Sequence, residues 1–178
     1  MSFSDYKARD EDKYVLEIPC NPTDAPTNTR KKEILCSDFM LSTVKFIDNH
    51  FRGTINLTAK NYPFGNIKIV PELFAHFIKV LIYEVKGNDL IKATMDFSQT
   101  RVNVIIRGAN HLKFRANLAE YAKKSGFDVL QSEDVLFLTI EVEEQVYLFL
   151  NSRNPSTFYS YYLGALFDQY LNKYSENE

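Results

Sequence analysis

Between Val70 and Val142 the chain alternates twice between helical and strand-like hydrophobic spacing, and that succession leaves few folds open. VPELFAHFIKVLIYEVKG, residues 70–87, lines Leu73, Phe74, Phe77, Val80, Leu81 and Glu84 along one helical face. Pro71 stands where a helix start loses nothing by lacking an N–H, and Gly87-Asn88 is the stop. LIKATMDFSQTRVNVIIRG reads as a hairpin, with Ile91, Ala93, Met95 and Phe97 facing Val102, Val104 and Ile106 across Ser98-Gln99-Thr100. HLKFRANLAEYAKKSG is expected as a second helix, starting at His111, burying Leu112, Ala116, Ala119 and Ala122 with Leu118 and Tyr121 flanking, and ending at Gly126. Strands at Phe127–Gln131 and Val135–Val142 follow.

Upstream, Ser37 can cap a helix through DFMLSTVKFIDNHF, in which Phe39, Met40, Val44, Ile47 and Phe51 recur at spacings of three and four. Thr54–Thr58 alternates as a half-buried strand should, and Pro63-Phe64-Gly65-Asn66 is turn chemistry leading to a short strand at Ile67–Val70. A further strand is expected at Gln145–Leu150. Strands outnumber helices and come mostly as hairpins. The class is therefore α+β, a two-layer sandwich whose mixed or antiparallel sheet is covered on one face by helices. Residues 1–30 read as a tail and linker, with an edge strand conceivable at Tyr14–Ile18; 31–153 form the α+β domain; 154–178 add an aromatic-rich helix.

Composition sets the outer bounds. An apolar content of 45% is ample for a core, and the formal net charge of −2 argues against nucleic acid as a partner. Apolar runs are interrupted by Lys, Glu or Asp well short of the ~20 residues a bilayer span needs, and MSFSDYKARDEDK has no apolar signal core. The expected location is cytoplasmic, with Cys20 and Cys36 as reduced thiols. His50, His76 and His111 are scattered with no metal spacing, and no metal site is expected. His76 sits near an apolar stripe and is expected at the core edge. His111, at the expected helix start, would be held neutral by the helix field. Glu141, Glu143 and Glu144 crowd one turn, where solvation explains them.

The order from about Lys32 to Val142 resembles the ATP-binding domain of sensor histidine kinases, the GHKL or Bergerat type. INLTAKNYPFGNIKIVPELFAHFIKVLIYEV looks like that family's strand–turn–strand–helix run, and GFDVLQSEDVLFLTIEV like its closing strands. The resemblance implies a site for ATP and magnesium, and here the residue types depart from it. The helix position where the family holds magnesium with Asn is Glu84. Where it has Asp-x-Gly-x-Gly to read adenine and admit phosphate, this chain has Ile105-Ile106-Arg107-Gly108-Ala109-Asn110. About five residues stand where a mobile lid would be, and the next helix starts without glycine.

These departures imply a degenerate, pseudo-kinase-like domain with no cofactor, kept as a non-catalytic interaction or regulatory module in bacterial signalling. Histidine phosphotransfer proteins include relatives of this degenerate kind, but this chain has no His in its first 49 residues and no helical hairpin there. The expected partner is a protein, a response regulator or a kinase, or a second copy, with no membrane role. Two alternatives stay open. One is an unrelated α+β oligomerisation domain, supported by FYSYYLGALFDQYLNKY, whose rings occupy more than one helical face and suggest a partner surface at Tyr159, Tyr162, Phe167 and Tyr170. The other is a nucleotide or anion binder with a nonstandard site at Glu84, Arg107 and Asn110.

Overall fold

The computed structural model describes residues 25–27, 30–59, 65–143 and 166–167. Its elements are β1 (Lys32–Leu35), α1 (Cys36–His50), β2 (Ile55–Ala59), β3 (Asn66–Ile69), α2 (Pro71–Lys86), β4 (Lys92–Phe97), β5 (Arg101–Arg107), α3 (Arg115–Ser125), β6 (Asp128–Gln131) and β7 (Val135–Glu141). Five strands form one sheet in the order β2-β4-β5-β7-β6, and β1 and β3 pair separately. The β2–β4 pair is parallel and every other pair is antiparallel. A parallel pair needs a long crossover, and β3 with α2 supplies it. The class is the expected α+β arrangement.

Strand alternation decides which face of the sheet is wet. Ala93, Met95 and Phe97 on β4, Val102, Val104 and Ile106 on β5, and Leu136, Leu138 and Ile140 on β7 are all buried. Ala93 registers with Ile106, Met95 with Val104 and Phe97 with Val102, the hairpin pairing expected from the sequence. The helices lie on this inner face: Phe39 of α1 meets Phe97 of β4 with ring centroids 6.2 Å apart, and Phe39 meets Phe74 of α2 at 4.8 Å. On the outer face Asp96, Asn103, Ile105, Phe137 and Thr139 are half-buried.

PELFAHFIKVLIYEVK is apolar almost all round, and α2 is accordingly the most enclosed element. Phe74, Phe77, Ile78, Val80 and Leu81 are buried, and Glu72, His76 and Glu84 are buried with them. Pro71 occupies the first turn as expected, and Gly87 closes the helix.

Several local expectations are corrected. β1 is an addition to the expected elements, because KEIL is too short to declare a period. Ser37 does not cap α1: the helix begins two residues earlier than expected, Leu35 is its cap residue without a side-chain bond, and the Cys36 amide donates to the Gly65 carbonyl at 2.8 Å. The helix expected from His111 begins at Arg115. Ala109–His111 form a single 3-10 turn, and extended Leu112 separates it from α3. His111 therefore sits at no α-helix start, and the field argument for its neutral form lapses. Leu112, Ala119 and Ala122 are buried as expected, and the flanking Leu118 and Tyr121 with them, while Ala116 is exposed. The expected strands at Tyr14–Ile18 and Gln145–Leu150 lie outside the described residues, as does most of the helix expected after Pro155.

Candidate functional site

The place where a nucleotide would be sought is the C-terminal end of α2 and the segment 108–114 that joins β5 to α3. Glu84, in the last turn of α2, is 4% exposed. Its Oε1 accepts the Lys113 amide at 3.1 Å and its Oε2 accepts the Phe114 amide at 2.9 Å. Phe114 is the cap residue of α3 and makes no side-chain cap bond of its own. The carboxylate thus supplies, from another helix, the negative charge that a helix N-terminus favours.

The connecting segment is tied down at each step. Gly108 has φ +75°, the left-handed region, and a Cβ there would strike the Leu90 carbonyl oxygen. The Ala109 amide donates to the Asp134 carbonyl at 2.9 Å, and the His111 amide to the Gly108 carbonyl at 2.9 Å. Leu112 is buried behind them. Gly108 thus serves a backbone turn.

At the outer end of this arrangement a cavity of ≈ 180 Å³ is bordered by Tyr83, Glu84, Lys86, Gly87, Asn88, His111 and Lys113. Small-molecule sites usually occupy roughly 300–1,000 Å³. Arg107 and Asn110 do not border it; both are exposed, and Arg107 registers between Lys92 and Val135 on the sheet. A second recess of ≈ 400 Å³ is bordered by Arg52, Lys86, Asp89 and Lys92, among others. It lies where α1 and α2 both end, a place where helix C-termini favour basic side chains.

The histidines are not brought together. His76 is 2% exposed, with its ring edge-on to Tyr121 at 4.9 Å, the core position expected of it. His50 packs against Phe46 at 5.8 Å, and His111 is exposed. Among the described residues no three His, Cys, Asp or Glu side chains stand close enough to hold a metal ion. No described helix is long and apolar enough to cross a membrane. Cys36 is a free, buried thiol, and burial pushes its pKa from 9.0 up to about 12.

Of the four residues expected on an aromatic partner surface, Phe167 turns inward. It is 1% exposed, stacked on Phe46 at 4.3 Å and edge-on to Phe74 at 6.4 Å. The reason is a slot between α1 and α2 that a flat ring fills. Tyr159, Tyr162 and Tyr170 lie outside the described residues.

Sequence reasoning missed two features. Arg115 donates to the carbonyls of Ser132 and Glu133 and so holds the β6–β7 turn. The outer face of the sheet carries Ile105, Phe137 and Leu130 in one row, Leu130 being 66% exposed. The signal for the second was present: Ile105 interrupts the alternation of RVNVIIR with an apolar residue on the wet side.

No known protein family matches the chain, and no curated protein matches it significantly. Among solved structures it is similar to the cytoplasmic segment of the histidine kinase QseC, at 14% identity and TM-score 0.40, over 79% of this chain and 89% of that one. It is also similar to a nucleotide-free form of the catalytic domain of the histidine kinase ThkA, at 13% identity and TM-score 0.37, over 64% of this chain and 98% of that one. The likeness is one of fold.

Proposed function

We propose that this chain is a non-catalytic protein-interaction module, a regulatory element on a histidine-kinase-ATPase-like scaffold that has given up nucleotide binding. One observation carries the reading: both carboxylate oxygens of Glu84 are engaged by the backbone amides of Lys113 and Phe114. A magnesium ion at Glu84 would have to share the carboxylate with those two amides, because each oxygen already commits one lone pair to a hydrogen bond that aims it at the start of α3. Turning the carboxylate toward an ion would weaken both bonds, each worth about 1.5–3 kcal/mol to a charged acceptor. The turn at Gly108 works the same way, because its backbone is held against the Leu90 carbonyl rather than presented to a phosphate.

The partner that fits is a protein of bacterial two-component signalling, a response regulator or a kinase, met in the cytoplasm. Thermal denaturation of the full chain with and without millimolar Mg–ATP tests the reading. The midpoint is expected to stay where it is. A midpoint that climbs with ligand concentration would mean that the native state binds nucleotide, and the reading would fall to the competing site at Glu84, Arg107 and Asn110.

A further inference from the structure

The outer face of the five-stranded sheet has an order that the Glu84 region does not explain. Register puts Ile105 of β5 opposite Phe137 of β7, and Phe137 opposite Leu130 of β6, as one apolar row across three strands. In the direction of the β4–β5 turn the next row contains Asp96 and Asn103, which register with each other. The Thr58 hydroxyl donates to Asp96 at 2.5 Å, and Thr139 to Asn103 at 2.8 Å, so these side chains stand on the outer face. In the opposite direction the next row contains Lys92 and Arg107, paired in register and both exposed. Beyond the acidic row, Arg101 and Glu141 register with each other and offset one another. On β5, β7 and β6 the face is therefore apolar along its middle, with Thr94 continuing the row on β4; it is negative at Asp96 and Asp128 on one side and positive at Lys92 and Arg107 on the other.

We propose that this face is a docking surface for a second copy of the chain. A twofold axis lying along the apolar row, between two stacked sheets, sets each Ile105, Phe137 and Leu130 against its own counterpart. The same rotation exchanges the two flanking rows, so Asp96 of each copy meets the Lys92 of the other, with Arg107 beside it. A twofold axis along the strands would instead oppose Lys92 and Arg107, and like charges reject it. Sheets stack in this way about 10 Å apart with their strands within about 30° of alignment. The chain's net charge of −2 opposes such a pairing only weakly.

A face about 20 Å on a side follows from strands about 4.8 Å apart and is on the order of 400 Å² per copy. Stable complexes bury roughly 800 Å² per partner, so this pairing is a weak, reversible one that needs high protein concentration. The proposal deepens the interaction-module reading by naming one partner. It stands on a different face from Glu84, so its failure leaves the Mg–ATP result untouched.

The test is sedimentation of the full chain from about 10 μM to about 1 mM, repeated for Lys92→Glu, for Asp96→Lys and for their equimolar mixture. The unaltered chain is expected to form a reversible dimer. Each variant alone should weaken it by about tenfold or more, because one substitution acts twice across a twofold axis. The mixture should regain the dimer, since the carboxylate introduced at position 92 of one copy then meets the ammonium introduced at position 96 of the other. Misfolding of either variant could not produce that rescue. A monomer at every concentration overturns the proposal, and so does a dimer indifferent to both substitutions or a mixture that is not rescued.

Discussion

Glu84 shows how one side chain can fix the start of a neighbouring helix. On α2 it faces the start of α3, and a carboxylate with two free oxygens there is a natural acceptor for two adjacent amides. Glu84→Ala removes both bonds and is expected to lower stability by about 2–4 kcal/mol in urea denaturation. Glu84→Gln keeps one acceptor oxygen but turns an NH₂ toward the second amide, so a loss of about 1–3 kcal/mol is expected. Cys36 makes a separate, pH-dependent case. Its pKa is about 12 in the folded chain against 9.0 ordinarily. Below pH 9 the thiol is protonated in both states and adds no slope. Above it the unfolded thiol ionises first, so stability falls with rising pH up to about 12, by at most about 1.4 kcal/mol per pH unit. The stability gap between the wild type and Cys36→Ala should therefore narrow as pH rises through that window; a gap constant with pH would show the thiol to be accessible.

Among the elements, those with a strong period were legible and those set by distant contacts were not. The β4–β5 hairpin could be read residue by residue because an apolar residue falls at every second position on both sides of a three-residue turn. The start of α3 could not, because the chain from Gly108 to Phe114 is fixed by the carbonyls of Leu90 and Asp134 and by Glu84, and none of these is near in sequence. Gly108→Ala combines a left-handed φ with a clash against backbone, and a loss of about 2–4 kcal/mol with an unchanged denaturant slope is expected. Phe167 was readable as an aromatic helix residue but not as an inward one, since rings on several helical faces do not say which one meets the core. Phe167→Ala should cost about 3–4 kcal/mol by leaving a gap over Phe46, and should leave the sedimenting mass unchanged. An altered mass would return that ring to a partner surface.

The molecule as a whole has a packed inner face and an outer face patterned in charge, and the two have separate meanings. The inner face supports the segment that fills the end of α2. The outer face was signalled in the sequence only by Ile105 in RVNVIIR, because its rows exist only once the strands are in register. The proposed loss of the nucleotide site rests on one geometry: Lys113 and Phe114 amides bound to Glu84. The most direct measurement follows those two amides by NMR while Mg–ATP is titrated into the full chain to millimolar concentration. Slow solvent exchange and resonances that stay in place are expected. Saturable shifts of both resonances, with exchange quickening as the carboxylate turns to a metal, would contradict the account.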